Sequence, residues 1–495
     1  MNSRYWLQTL GCPKNQVDSD KLAGTLEVDG FTKADEPAAA DLIVVNTCAF
    51  IEAARRESID TILELAEHRS AGARLVVTGC MAERYGDELE KALPEVDLVA
   101  GFGVSLLAEP REAVPVSITS SKRSRNDKRI SAGEDVPTPA NVTSFDLLEL
   151  PRPTTDTPWA YVKVAEGCDR KCGFCAIPSF RGPQRSRGID QVLDEVTSLV
   201  QGHHSDSGAA RGNGAENGGA ENGGVKEIVL VAQDLASFGR DRLQERRGFG
   251  LDSTPLNVAP IVTLTRAVSQ IARRTRLLYL YPSNLTDDLI AAILETGVAY
   301  FDLSLQHVSR PLLRRMRRWG DASRFLERIN FIRQLEPSAA FRSSFILGYP
   351  GESEEDHDQL LEFLEVAQLD WAGFFAFSPE EGTHAAGLID QVPAELAVER
   401  LRECSELQDA ISARKRDRLV GQTLEVLIDA PGKARSVFEA PEIDGIIRVP
   451  ETLKVGSLVD VLITGSLGMD LEGQPCRVIQ NSTGQQINMK QAIRP

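Results

Sequence analysis

Cysteine is scarce in this chain, with eight among 495 residues, and no leading apolar segment ends in a small-residue cleavage site. Both absences argue against a secreted disulfide scaffold. No apolar run approaches the ~18 residues that suggest a bilayer-spanning helix. Positive charge is short as well: 55 Lys and Arg face 72 Asp and Glu, a formal charge of −17. That balance disfavours broad phosphate-driven nucleic-acid binding while leaving local basic sites open. The expectation is a soluble, cytoplasmic chain without a membrane segment, long enough for about two to four domains.

The few cysteines are not scattered. YVKVAEGCDRKCGFCAIPSFRG, residues 161–182, places Cys168, Cys172 and Cys175 within eight residues. Near the N-terminus three apolar runs share one ending: YWLQTLGC reaches Cys12, DLIVVNTC reaches Cys48 and RLVVTGC reaches Cys80. The stretches between them repeat apolar residues at three and four positions, as helices do. Strand, cysteine, helix, strand predicts a parallel α/β unit whose strand ends share an edge, so thiols 36 and 32 residues apart can converge.

The whole chain reads as α/β. After an N-terminal parallel α/β domain over 1–110, periodicity fades over 111–155, where SKRSRNDKR and two proline-rich stretches suggest a linker. Strand-like YVKVAEG, EIVLVAQD, RLLYLYPS, YFDLSLQH, FRSSFILG and WAGFFAFSP then alternate with amphipathic stretches over 156–400. That predicts a central partial (β/α)6 barrel with its reactive residues at the C-terminal strand ends. The glycine-rich 205–224 interrupts it and is expected to be a disordered insertion. A connecting helix over 401–420 leads to 421–495, whose short β-like runs predict a small all-β barrel. With nine acidic and seven basic residues, that last segment lacks the profile of a strong phosphate binder, and no stable nucleic-acid binding is expected.

Zinc knuckles draw their four ligands from paired motifs, and Cys168, Cys172 and Cys175 have no second pair nearby. Three thiolates holding an iron–sulfur cubane leave one iron open to a further ligand. The motif and its setting resemble the radical S-adenosylmethionine superfamily. The resemblance implies a 4Fe-4S cluster on these cysteines, S-adenosyl-L-methionine on the open iron, and cleavage to a 5'-deoxyadenosyl radical, hard chemistry that belongs to the cofactor. It also implies cofactor contacts at Phe174, between the second and third cysteines, and at Gly348, Gly351 and Glu352 of FILGYPGE, where glycine permits close backbone approach.

Joined to the N-terminal cysteines and the terminal β-barrel, the pattern resembles the methylthiotransferase family over nearly the whole chain. That implies a second 4Fe-4S cluster on Cys12, Cys48 and Cys80, and a C-terminal TRAM-like barrel. GCPKNQVDSD, IPSFRG, VAQDLASFG and SPEEGT resemble the type that modifies a ribosomal protein. Its implied reaction is methylthiolation of the β-carbon of an aspartate in small-subunit ribosomal protein S twelve. A low-potential electron donor and a sulfur source would serve it, with Asp234 a candidate for positioning substrate or cofactor. The alternatives are a methylthiotransferase acting on an adenosine of transfer RNA and, from another class, a non-enzymatic iron–sulfur RNA-binding protein. The arginines of HVSRPLLRRMRRWG, residues 307–320, read as contacts for acidic partners, domain contacts or solvated charge, and His307 as a structural hydrogen-bonding residue.

Overall fold

A computed structural model describes residues 3–108, 147–153, 155–202, 224–243 and 258–476. The expected linker lies mostly outside these residues, as do the basic run at 122–129 and the glycine-rich segment up to 223. The chain forms two compact units, Met1–Arg152 and Pro153–Pro495, taken separately below.

The first unit is a five-stranded, wholly parallel sheet in the order Thr32–Lys33, Arg4–Thr9, Leu42–Thr47, Arg74–Gly79, Leu98–Ala100. Helices Pro13–Val28, Glu52–His68 and Cys80–Ala92 make its crossovers. All six residues of the central strand LIVVNT are buried, the continuous apolar signature of a strand covered on both faces. Register pairs Thr9 with Asn46 and Thr47 with Gly79. The three strands that precede cysteines therefore finish level.

In the second unit six strands stand side by side in chain order, all parallel: Trp159–Lys163, Glu227–Val231, Arg274–Leu277, Tyr300–Gln306, Ala340–Leu347 and Trp371–Ala376. They form two three-stranded sheets that meet at a parallel bridge, Leu280 with Leu303. Caps fix where the intervening helices begin. Thr286, Ser309, Asp321 and Ser353 each accept a backbone N–H from the first turn, and Ser353 forms a reciprocal capping box with Asp356. One continuous helix, Ala394–Asp417, runs from the last barrel strand into the terminal domain. There five short strands close into a barrel in the order Thr423–Ala430, Lys433–Arg435, Ile447–Arg448, Asp470–Pro475, Leu458–Leu467. The expected α/β architecture with a terminal all-β barrel is thus present.

The small barrel is anchored at the N-terminal ends of the six strands. Tyr161 Oη donates to Pro441 O at 2.8 Å, Arg276 Nη1 to Val437 O at 3.1 Å, Trp371 Nε1 to Phe438 O at 2.8 Å and Tyr300 Oη to Asp444 at 2.6 Å. At the centre, fully buried Glu227 accepts from Arg276 at 2.7 Å and from Arg435 at 3.0 Å. Burial alone would raise the Glu227 carboxyl, but Arg276, Arg435 and Arg274 overcome it and hold the group at about 2. A depressed carboxylate stabilises the fold above its unfolded pKa and loses that contribution as pH falls through its folded one. Glu227→Gln should cost about 3–5 kcal/mol at pH 7, the usual cost of breaking a buried pair. Denaturant titrations of both proteins should show the gap closing between pH 4.5 and pH 2. A constant gap across that window would show that packing, not charge, makes the difference.

Candidate active site

The cysteine loop leaves the first barrel strand and is closed by an antiparallel pair, Ala165–Glu166 with Arg185–Ser186. Gly167 has φ +77, and a Cβ there would collide with the carbonyls of Gly182 and Pro183, so only glycine fits. Cys168 N donates to Gly182 O at 3.1 Å, Gly173 N to Met316 O at 2.8 Å, and Ala385 N to Gly173 O at 2.8 Å. The first bond closes the loop on itself, and the other two tie it to segments more than a hundred residues away. Beneath it, buried Glu166 is held by Lys163 at 2.5 Å, Arg181 at 2.8 Å and Gln233 at 2.7 Å.

Cys168 is buried, Cys172 and Cys175 are half-buried, and Phe174 packs against the barrel core. Cys168 Sγ accepts from Arg170 N at 3.4 Å and Cys172 Sγ from Arg318 Nη1 at 3.2 Å. Burial pushes the Cys168 thiol up to about 11 and the Cys175 thiol up to about 12, so binding a positive centre here would release protons. Among the described residues no three Cys, His, Asp or Glu side chains form a single-ion site. A cluster is larger than a single ion, and three thiols on one loop are a donor set of the type that could hold one with an iron left open.

The remaining expected residues stand at neighbouring strand ends. Asp234, buried after the second strand, binds Arg170 Nε at 2.6 Å and accepts from Ser237 Oγ at 2.8 Å. Its other oxygen, Oδ1, and Gln233 Oε1 are buried acceptors without a hydrogen-bond partner among the described residues. Glu352 folds back to accept from Gly348 N, and its carboxylate lies 3.6 Å from Arg400 and 3.7 Å from His307. The room left by Gly348 is taken up by Ala397, and that left by Gly351 by the Arg315 guanidinium. These glycines therefore serve close protein packing around the turn. His307 is fully buried, and its Nδ1 accepts from Ser309 N at 3.0 Å.

In the first unit Cys12 is the N-cap of its helix, Cys80 opens the next crossover helix but one, and Cys48 follows the central strand. Positions at or beside helix N-termini favour thiolates. Gly11 makes room for Cys48, whose Cβ and Sγ would lie 2.9 and 3.0 Å from any added Cβ. Asn15 joins the three loops: its Nδ2 donates to Leu10 O at 2.9 Å and to Thr47 O at 3.0 Å, and its Oδ1 lies 3.5 Å from Cys80 Sγ. Asn46 in turn donates to Asn15 O at 2.9 Å. In the sequence Asn15 stood out only within a motif and Arg318 only as one of five alike arginines, while Arg170 and the Lys163–Glu166–Arg181 group did not stand out at all.

Family models match three segments: Uncharacterized protein family UPF0004 over 4–101, Radical SAM superfamily over 215–364 and TRAM domain over 420–476. The chain is 40% identical over 466 residues to the ribosomal protein uS12 methylthiotransferase RimO of Moorella thermoacetica, covering 92% of this chain and 95% of the relative. Proteins of the same name from Cutibacterium acnes and Aquifex aeolicus are each 38% identical, with coverage of 95% and 97%, and of 94% and 96%. The chain belongs to the uS12 methylthiotransferase family. It is a radical SAM methylthiotransferase, a family identity that brings S-adenosylmethionine and a 4Fe-4S cluster with it. Among solved structures, the radical S-adenosylmethionine methyltransferase TsrM of Kitasatospora setae, at 13% identity and TM-score 0.41, covers 92% of this chain and 82% of that one. No helix among the described residues is long and apolar enough to cross a membrane.

The position of Asn15 makes a direct prediction within this family. Asn15→Ala strips the donor from the Leu10 and Thr47 carbonyls, a loss of about 1–3 kcal/mol for buried acceptors. Denaturant unfolding should record it. A loss below about 0.5 kcal/mol would show that the loops keep their places without the amide.

Proposed function

We propose that this chain transfers a methylthio group to the β-carbon of an aspartate in ribosomal protein uS12, using two iron–sulfur clusters. The observation that carries this reading is the duplication of one device. Two separate three-thiol sets, each built at the C-terminal edge of parallel strands, are braced by glycines whose missing Cβ atoms admit neighbouring groups. Cys168, Cys172 and Cys175 hold the radical-generating cluster in this proposal, and Cys12, Cys48 and Cys80 the auxiliary one. When bound, the first supplies the electron for reductive cleavage of S-adenosylmethionine, while the second orients or carries the added sulfur.

The chain's own residues then position and shield. Phe174 covers one side of the cysteine loop, the Gly348–Glu352 turn shapes a neighbouring wall for the cofactor, and Glu352 keeps that turn closed. Asp234 fixes Arg170 and leaves Oδ1 for a hydroxyl or amine donor of substrate or cofactor. A low-potential one-electron donor and an external sulfur source complete the requirements. A cytoplasmic setting suits a ribosomal substrate.

The test is anaerobic turnover of the iron-reconstituted chain with reductant, S-adenosylmethionine and sulfide, offering uS12 and transfer RNA in parallel. Mass spectrometry should find the methylthio group on a uS12 aspartate. Cys172→Ala should abolish both product and 5'-deoxyadenosine. Cys48→Ala should abolish the product while 5'-deoxyadenosine still forms. Full methylthiolation by Cys48→Ala would remove the auxiliary-cluster assignment, and a modified adenosine would move the substrate to RNA.

A further inference from the structure

The arginine-rich segment after the fourth barrel strand is not a uniform charged surface. Arg310, Arg314 and Arg317 are exposed, whereas Arg315 and Arg318 are half-buried. The local cause is the end of helix Arg310–Arg315. Arg318 N donates to Leu313 O at 2.7 Å and Arg317 N to Arg314 O at 3.0 Å, with Arg317 left-handed at φ +56. That is a Schellman ending without glycine. The neighbouring carbonyl, Met316 O, accepts from Gly173 of the cysteine loop. The helix end and the loop are therefore one hydrogen-bonded assembly.

The turn delivers Arg318 to the thiols. Nη1 donates to Cys172 Sγ at 3.2 Å, Nη2 donates to Ser304 O, and the guanidinium lies 4.3 Å from the centre of the Tyr281 ring. The same ring stacks at 3.7 Å with Arg170, whose backbone N–H reaches Cys168 Sγ. Tyr281 Oη accepts from Trp319 N at 3.4 Å, which fixes the ring between the two cations. Arg170 has its carboxylate in Asp234. Arg318 has none among the described residues, and its Nε is buried without a hydrogen-bond partner. A half-buried guanidinium beside thiols and lacking a carboxylate is costly, unless the negative charge it faces is that of the ligated thiolates.

We infer that Arg318 is a positioning residue of the radical site that sets the reduction potential of the cluster held by Cys168, Cys172 and Cys175. The inference rests on the assignment of a cluster to those thiols. A cation hydrogen-bonded to a ligand sulfur stabilises the extra negative charge of the reduced cluster, and net charge and sulfur hydrogen bonds are known levers on such potentials. The step concerned is a one-electron reduction, the electron coming from a low-potential donor, with no bond made or broken in the protein.

The experiment is an anaerobic redox titration with dithionite as the reductant, followed by electron paramagnetic resonance. It uses the full-length reconstituted chain carrying Cys12→Ala, Cys48→Ala and Cys80→Ala, and in parallel the chain without those substitutions. In the triple-alanine background Arg318→Leu should load ~4 iron atoms per chain, as a cubane requires, yet be reduced with an equilibrium constant roughly tenfold lower, about 59 mV for one electron. Arg318→Lys, which keeps the charge, should recover most of that difference. An unchanged potential in an iron-replete Arg318→Leu overturns the inference. So does a shift that appears only after S-adenosylmethionine is added, since Arg318 would then address the cofactor's carboxylate. If the leucine variant loads no iron, Arg318→Gln takes its place. Failure of both while Arg318→Lys loads iron at the parent potential assigns Arg318 to holding the cluster, and also overturns the inference. Absence of iron from the parent chain removes the cluster assignment itself, a distinct failure.

Discussion

Parallel strand pairing is the constraint on which the rest of this molecule depends. Parallel strands need crossovers, crossovers bring every strand back in the same direction, and all C-terminal ends arrive at one edge. Both units obey it. In the first, the register of Thr9 with Asn46 and of Thr47 with Gly79 brings level three loops that are distant in sequence. In the second, six strands in chain order place the cysteine loop, Asp234, the arginine-rich helix and the Gly348–Glu352 turn at neighbouring ends. Chemistry that needs several residue types at once is assembled by topology before any side chain contributes.

The two ends of the barrel treat buried charge differently. At the N-terminal end Glu227 lies among Arg276, Arg435 and Arg274, while Asp429 pairs with Arg435 and Glu439 with Arg416. Charges there are neutralised, and their partners span the barrel and the small β-domain, so the network specifies how those two pack. At the C-terminal end Asp234 answers Arg170, but Arg318 meets a thiol, a carbonyl and an aromatic ring. Arginines at the structural end are answered by carboxylates, whereas Arg318 at the other end faces a thiol.

Much of this was legible in the sequence for identifiable reasons. Alternating strand and helix periods, level cysteine endings and the short β runs after 421 are local signals, and each survives into the structure as an element. What escaped was polar burial. Asn15, Glu166 and Arg170 sit in stretches that look solvated, because a carboxylate or amide buried by a partner far along the chain leaves no periodic trace. Gly348 and Gly351 were legible as positions needing glycine, but not for what fills the space. Ala397 and Arg315 do so, and only the tertiary structure brings them near.

The arginine segment shows the limit most sharply. Composition makes Arg310, Arg314, Arg315, Arg317 and Arg318 equivalent, whereas the helix ending makes them distinct. A left-handed residue at 317 reverses the chain within one step and turns Arg318 from the exposed side toward Cys172. An L-residue there bears a strain of about 1–3 kcal/mol that glycine would escape. Strain of that size persists only where surrounding contacts over-determine the conformation, and here the Met316 carbonyl bonded to Gly173 and the Tyr281 ring held by Trp319 do so. The backbone cost is carried by the same bonds that fix the cysteine loop, which ties the geometry of the cation to that of the thiols.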